Sequence, residues 1–554
     1  MRASGNHSMD TLNHLTTSLM EEIKQVTTFR GRWSAINTKL ASLPPLLTDL
    51  SDSTNTHSNP LSTDLIHSIS QTLTHALSLA ATCTGPNPVS GKLRTQSDID
   101  AVSAKLGQLI NDCDLLVKSG VLEDSIVSGS TKRECVRVQA RNLITRLQIG
   151  DFESKRSAMD SLISLIEEDD KNVVIAVAQG AVAVIVGLME SSCVDLREKA
   201  VSAISRVSAV DSSRVVLMAE GVLLLNHLVR VLECGSGFGK EKACVALQSL
   251  SLSKENARGI GCRGGVSSLL EICQVGTPSS QAAAALVLRN LAGFDEIKVN
   301  FVEEGAVSVL IGLAGSGTAI AQENSIGCLS NLVSGDENLK VLVVREGGIE
   351  CLKNYWDSAP MAKSLEVAVA LLWNLVSCRP IAEVVASEGF IPRLVGALSC
   401  GILGVRITAS RAACDLGFNS KMRKVIGECG CIALLVRMLE AKSVEEKECA
   451  AKALASLMQF AGNRRIYRKE ERGIVGTVQL LDPSIHNFNK KYPISILLSV
   501  VQSKKCRKRM IDAGVCAFLP KLVEMEVEGA KKLLDGFERL KVWGLFPISQ
   551  MKRS

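Results

Sequence analysis

From about residue 151 onward, apolar residues come in short blocks at helical spacing rather than in strict alternation. Val307, Val309, Leu310 and Leu313 form one such block, sized for a helix of about three turns. A short phrase opens each block: a polar residue, a glycine, then a small or branched residue. It reads Gln179-Gly180-Ala181, Glu220-Gly221-Val222, Gly264-Gly265-Val266, Glu304-Gly305-Ala306 and Gly347-Gly348-Ile349. It continues as Glu388-Gly389-Phe390, Cys429-Gly430-Cys431, Arg472-Gly473-Ile474 and Ala513-Gly514-Val515. Taken at 180, 221, 265, 305, 348, 389, 430, 473 and 514, the glycines are 40 to 44 residues apart. Glycine is tolerated where a helix ends and the chain turns sharply, so each phrase predicts a break between two helices.

Each unit is then a short helix such as Arg214–Ala219, a glycine turn, a second helix, a polar loop such as Gly315-Ser316-Gly317, and a longer third helix. The third helix ends in its own repeated pattern: Leu288-Arg289-Asn290-Leu291, Leu329-Ser330-Asn331-Leu332 and Trp373-Asn374-Leu375. The equivalent positions elsewhere are Ser164, Arg206, Ser249, Asp415, Ser456 and Ser499, advancing by 41 to 43 residues. Two separate registers with one period define a helical repeat array.

Residues 1–125 follow another pattern, rich in Ser, Thr and His. A helix is expected from Asp10 to Leu43, stopping at Pro44-Pro45. A polar stretch from Ser51 to Pro60 precedes an apolar-periodic segment, Leu61 to Ala81, and Gly85-Pro86-Asn87-Pro88 breaks the chain again. Asp98 to Val117 reads as a helix with Ile99, Val102, Leu106, Leu109 and Ile110 on one face. Together these segments predict an N-terminal helical bundle that caps the array. An amphipathic helix from Ala530 to Phe546, bearing Leu533, Leu534, Phe537, Leu540 and Trp543, is expected to cap the other end. The organisation is thus an all-α chain: a bundle over 1–125 and a repeat solenoid of about nine units over 151–546.

On these two registers, the chain over 151–546 resembles the armadillo-repeat family. It is most similar to plant armadillo proteins such as the vacuolar armadillo protein and to the repeat region of plant U-box ligases. Leu93 to Leu122, with Asp112-Cys113-Asp114-Leu115-Leu116, also resembles the helical N-terminal domain of those plant proteins. The resemblance implies a right-handed superhelix whose third helices line a concave groove for partner proteins or extended peptides. It places Asn290, Asn331 and Asn374 along that groove, with Arg206, Arg289 and Trp373 beside them. An amide both donates and accepts, which suits the backbone of a bound peptide; the other reading is that each asparagine bonds its own helix end. Importin-type receptors carry Trp one turn before the ladder Asn, where this chain has Leu286, Gly327 and Ala370. A nuclear-import role is therefore disfavoured. A U-box is not expected between Leu122 and Asp151, which is too short a stretch to hold one.

Composition narrows the function. Aromatics are only 3% and charged residues 22%, with 63 basic against 57 acidic side chains, a net charge of +6 too weak to argue for nucleic acid. The 18 cysteines stand apart with no C-x-x-C pair, which argues against disulfides or zinc and for a reducing compartment. The start of the sequence has neither an apolar signal core nor the glycine of a myristoyl anchor, and Val173 to Met189 is interrupted by Gln179-Gly180. The expected location is the cytoplasm, extending to the nucleus, with no transmembrane span.

Gly235-Ser236-Gly237-Phe238-Gly239-Lys240 imitates a phosphate loop, but Cys234 and Glu241 stand where Gly and Ser or Thr are needed. His67 and His75 are eight residues apart, wrong for two ligands on one helix face. No cofactor, metal or catalytic set is expected. Lys504, Lys505, Arg507, Lys508 and Arg509 form the densest basic run, and Arg464-Arg465 with Arg468-Lys469 a second. Either is a docking patch, a nuclear-targeting signal or the solvated face of a short helix. The sequence thus predicts a non-enzymatic scaffold for partner proteins, or a recruiting subunit of a ubiquitin-ligase or trafficking complex.

Overall fold

A computed structural model describes residues 2–53, 56, 59–85, 91–122, 131–359 and 361–538. Among these residues every regular element is helical, as the periodicity predicts. The chain divides into two compact units, Met1–Leu250 and Ser251–Ser554.

The first unit opens with helices α1 (Arg2–Gln25), α2 (Arg30–Leu40), α3 (Leu43–Asp52), α4 (Pro60–Thr82) and α5 (Lys92–Lys118). They enclose one core that includes Leu12, Leu19, Trp33, Ile36, Leu73, Leu106 and Leu116. The single helix expected over Asp10–Leu43 is instead two, with α3 starting at Leu43. It breaks because the Thr27 and Thr28 N–H groups donate to the Cys83 carbonyl at the end of α4, at 3.1 and 3.3 Å. Phe29 then takes a left-handed conformation, φ 57°, which ends helical continuity. Pro44-Pro45 start α3 rather than stopping its predecessor, because the first turn of a helix needs no N–H donors. Ile99, Val102, Leu106 and Leu109 are buried on α5, while Ile110 is only half-buried.

Two further helices, α6 (Lys132–Ile149) and α7 (Phe152–Glu168), lead into nine helical triplets, repeats 1 to 9. Their first helices are Asp170–Ala178, Arg214–Ala219, Lys254–Gly261, Lys298–Glu303, Glu337–Arg345, Arg379–Ser387, Ser420–Glu428, Ala461–Lys469 and Lys504–Asp512. The third helices are Val194–Ser208, Gly237–Leu250, Pro278–Leu291, Ala319–Val333, Leu365–Val376, Leu403–Leu416, Val444–Leu457, Lys491–Val500 and Ala530–Glu538. Repeats 1 and 2 belong to the first unit and repeats 3 to 9 to the second. Within the second unit each third helix packs against the next, burying Ala284, Leu288, Leu329, Leu372 and Leu454 completely.

The turn glycines are sharper than the sequence register suggests. The left-handed residue is Gly264 (φ 74°) rather than Gly265, and Gly347 (φ 92°) rather than Gly348. With that correction the left-handed glycines of the turn register from 180 to 430 are spaced by 41 to 43 residues. The second glycine of each pair answers a different need: a Cβ on Gly348 would lie 2.4 Å from Val343 Cγ1 and 2.6 Å from the Val343 carbonyl oxygen. Gly473 makes no turn. It sits inside the helix Glu471–Gln479, under the Tyr467 ring, whose hydroxyl donates to the Gly473 carbonyl at 2.8 Å. Gly315 and Ser316 also continue their helix, leaving Gly317 and Thr318 as the link to the third helix. Phe238, Gly239 and Lys240 of the phosphate-loop mimic likewise lie in a helix, Gly237–Leu250. At the C-terminal end Leu533 and Phe537 are buried, whereas Leu540, Trp543 and Phe546 lie outside the described residues.

Candidate partner-binding surface

The third helices of repeats 3 to 8 line up their ladder positions, and the amides of Asn331 and Asn374 each reach back one repeat. Asn331 Nδ2 donates to the Arg289 carbonyl at 2.8 Å, and Asn374 Nδ2 donates to the Ser330 carbonyl and hydroxyl at 2.9 and 3.1 Å. Asn290 Nδ2 donates to Ser251 Oγ at 3.0 Å. In the first unit Arg206 does the same work with a longer side chain, bonding the Ile166 carbonyl at 3.0 Å and Asp170 at 2.6 Å. The carbonyls at a helix C-terminus have no partner within their own helix, so these side chains supply one from the next repeat. Neither sequence reading anticipated this bond between neighbouring repeats.

Asn331 and Asn374 remain half-buried, with Oδ1 accepting no hydrogen bond among the described residues. Each Nδ2 is engaged in a repeat-to-repeat bond, which leaves Oδ1 as an unpaired acceptor. Arg289 lies over the next repeat, close enough that a Cβ on Gly327 would meet its Nε at 2.6 Å. Glycine there is a space requirement: the guanidinium occupies the room a larger side chain would need.

Further along, Trp373 anchors a trough. Its Nε1 donates to Asp415 Oδ2 at 2.9 Å, and the Arg411 guanidinium sits 5.3 Å from its ring centre. Arg411 in turn bonds Glu445 at 2.7 Å. These residues, with Cys414, Glu448, Cys449, Lys452 and Tyr492, line a cavity of about 330 Å³. A second cavity of about 420 Å³ continues from Cys414, Lys452 and Tyr492 to Ser456 and Lys532. The trough therefore runs across the third helices of repeats 5 to 9, mixing a rigid aromatic anchor with both signs of charge. The sequence pointed to Trp373 and Arg289 but missed Arg411, Lys452 and Tyr492, because their meeting depends on helices about one repeat apart.

The buried thiols of this unit are not poised as nucleophiles. Burial pushes the Cys414 and Cys449 thiols up from their ordinary range, and pushes Cys351 up to about 11. A thiol in that state stays protonated near neutral pH. Burial likewise raises the Tyr355 hydroxyl to about 12, and it donates to the Ser364 carbonyl at 3.0 Å. Among the described residues no three His, Cys, Asp or Glu side chains converge as metal ligands, and no single helix is long and apolar enough to cross a membrane. Val173 to Met189 is two helices, bent by 87° at Gln179-Gly180.

The basic run stands on the first helix of repeat 9. Lys504, Lys505 and Lys508 are exposed, whereas Arg507 and Arg509 are half-buried and carry structural bonds. Arg507 donates to the Val501 carbonyl, six residues back, at 2.8 Å. Arg464 and Arg423 make the same bond one and two repeats earlier, to the Met458 and Gly417 carbonyls. Arg509 reaches the Arg468 carbonyl at 3.5 Å.

Residues 10–121, the N-terminal bundle, match the family described as Domain of unknown function (DUF7032). The chain is homologous to plant U-box domain-containing proteins at modest identity. It is 28% identical over 265 residues to U-box domain-containing protein 8 of Arabidopsis thaliana, covering 47% of this chain and 69% of that protein. With U-box domain-containing protein 43 of the same plant it shares 25% over 214 residues, 38% of this chain and 26% of the relative. Among solved structures, the crystal structure of an engineered protein superposes with a TM-score of 0.64 at 23% identity, over 72% of this chain and 99% of the other. That likeness concerns the fold alone.

Proposed function

We propose that this chain is an armadillo-repeat protein that holds partner proteins or extended peptides along the third-helix surface of repeats 3 to 9. The observation that carries the reading is the trough at Trp373. A half-buried indole, fixed by Asp415 and stacked against Arg411, borders space lined by Lys452, Glu448 and Tyr492. Rigid aromatic and arginine anchors ringed by polar groups are the usual energetic centres of protein interfaces. The homology to U-box proteins supports a role in partner recruitment. The crowding at Gly327 speaks against an import receptor, since a tryptophan there would displace Arg289.

We read the protein as non-enzymatic and as working in the cytoplasm or nucleus. Proximity labelling in plant cells, comparing the natural chain with Trp373→Ala plus Lys452→Glu, tests the surface. The expected result is loss of a defined set of neighbours while the helical circular dichroism is unchanged. An unchanged set would sink the proposal.

A second reading is favoured by the same homology: a recruiting subunit of a ubiquitin-ligase complex, docking through residues 10–121. Co-purification of ubiquitin-transfer components with the full chain, lost when α5 surface charges are reversed, would support it. Their absence from repeated purifications would rule it out.

A further inference from the structure

The first helices of repeats 7, 8 and 9 stack into one basic ridge. Asn463 Nδ2 on the second of them donates to the Arg423 carbonyl on the first at 2.7 Å. Arg509 on the third donates to the Arg468 carbonyl on the second. Sequence runs that look separate at 464–469 and 504–509 are therefore neighbours, and Lys421, Arg423 and Lys424 extend the row on the other side of 464–469.

The ridge concentrates the protein's positive charge. Its 27 residues carry twelve Lys and Arg against Glu428 and Asp512, a net charge of +10. The whole chain is net +6, so everything outside the ridge sums to −4. Lys421, Arg465, Lys469, Lys504, Lys505 and Lys508 are exposed and have no ion-pair partner among the described residues. Elsewhere in the second unit several cations pair: Lys254 and Arg258 share Glu296, Arg393 meets Asp357, and Arg472 meets Glu440. Like charges crowded without counter-charge oppose folding slightly, and a partner that supplies anions relieves the repulsion.

We infer that this ridge is a second docking surface, separate from the third helices, and that it takes an acidic protein segment rich in Asp and Glu. The chemistry of the ridge favours protein over the other polyanions. Tyr467, the one aromatic on these helices, is fully buried and bonded to Gly473, so no ring is available for stacking on bases. None of the large exposed apolar side chains lies on the three helices, so the face has nothing to insert among lipid tails. The net negative charge of the remaining chain opposes a long polyphosphate but leaves room for a short acidic peptide along the ridge.

The test uses the full chain and a fluorescent peptide of about twelve alternating Glu and Asp residues, with a Gln/Asn peptide as control. The acidic peptide is expected to bind, to weaken as salt rises from ~0.05 to ~0.2 M, and to bind at least about tenfold more weakly to a ridge variant. That variant combines Lys421→Gln, Arg465→Gln, Lys469→Gln, Lys505→Gln and Lys508→Gln. All five positions are exposed, and none of their side chains makes a hydrogen bond or ion pair within the chain among the described residues. Trp373→Ala is expected to leave peptide binding unchanged, which separates this inference from the third-helix reading. Equal binding by the ridge variant overturns the inference. So does tighter binding of a short DNA duplex, or of phosphatidylserine vesicles, than of the acidic peptide.

Discussion

Asn331 donates its side-chain amide to the backbone carbonyl of Arg289, 42 residues earlier in the chain, at 2.8 Å. The bond ties the end of one third helix to the end of its predecessor, and Asn374 repeats it one unit later on Ser330. The ladder asparagines therefore have a structural duty whatever else they touch. A hydrogen bond of this kind contributes about 1 kcal/mol net, and more is lost when a half-buried acceptor is left unpaired. Asn331→Ala should cost about 1 kcal/mol. Asn331→Asp should cost more, because a carboxylate would face the Arg289 carbonyl with no proton to offer. Thermal unfolding of the three proteins checks the order, and an aspartate variant as stable as the natural chain would show that the bond contributes nothing.

The paired glycines give a second prediction. At Gly347 the φ of 92° penalises any side chain, by about 1–2 kcal/mol. At Gly348 the conformation is ordinary, but an added methyl meets Val343 at 2.4 Å. Both Gly347→Ala and Gly348→Ala should therefore destabilise. A different glycine, Gly312, lies inside the helix Ala306–Ser316 with open space around it. Gly312→Ala should stabilise by about 0.5–1 kcal/mol, since alanine loses less backbone freedom on folding. Urea unfolding of the three variants distinguishes the three causes.

These examples also show what the sequence could and could not reveal. The period, the three-helix unit and the ladder positions were readable because each rests on residues close together in the chain. The break at Thr27 and Thr28 was not, since its cause is a carbonyl at Cys83, more than fifty residues away. The register falls on Gly348 where the turn is made by Gly347, because both glycines are required, one by conformation and one by the approach of Val343. The trough at Trp373 was half visible, with the tryptophan flagged and its partners Arg411 and Tyr492 supplied only by stacking. Charge followed the same rule, two basic runs in the sequence becoming one ridge when Arg509 of the ninth repeat reaches the Arg468 carbonyl of the eighth.

Cysteine reactivity supplies a third prediction. Burial raises the Cys113, Cys273 and Cys431 thiols to about 12, so they are almost wholly protonated at pH 8. Cys234, Cys262 and Cys429 are exposed. A chromogenic disulfide reagent at pH 8 should label these three first. The buried group should react only after denaturant is added. Mass spectrometry of the labelled peptides identifies the order, and early labelling of Cys273 or Cys431 would contradict the packing.

The Arg393–Asp357 pair carries a pH signature. The Arg393 guanidinium beside Asp357, donating from Nε at 2.7 Å, holds the carboxyl below its usual 3.8. A carboxyl whose folded value is depressed adds stability above its unfolded value and loses it as pH falls through the folded one. The gain is thus complete above about pH 5 and disappears on acidification below 3.8. Asp357 is 53% exposed, so salt should weaken the effect. Carboxyl titration by NMR should place Asp357 below 3.8 in the natural chain and return it toward that value in Arg393→Gln.

The strongest electrostatic prediction concerns Arg406 and Glu446, which join the third helices of repeats 6 and 7. Arg406 donates to both carboxylate oxygens at 2.6 and 3.1 Å and to the Cys400 carbonyl at 2.8 Å. The two ends are unequal: the Glu446 side chain is 5% exposed, that of Arg406 23%. Removing the arginine strands a buried carboxylate, and breaking a buried pair from one side costs about 3–5 kcal/mol. Glu446→Gln keeps an acceptor for the guanidinium, which still reaches Cys400 and water, so its cost should be clearly smaller. Arg406→Met should therefore be the worse single variant. Arg406→Met with Glu446→Leu should recover most of the loss, because an apolar pair of similar volume avoids the desolvation of both charges. Urea unfolding of the three variants decides the matter. A double variant no better than Arg406→Met would mean that the pair contributes geometry, not charge balance, to the packing of these two helices.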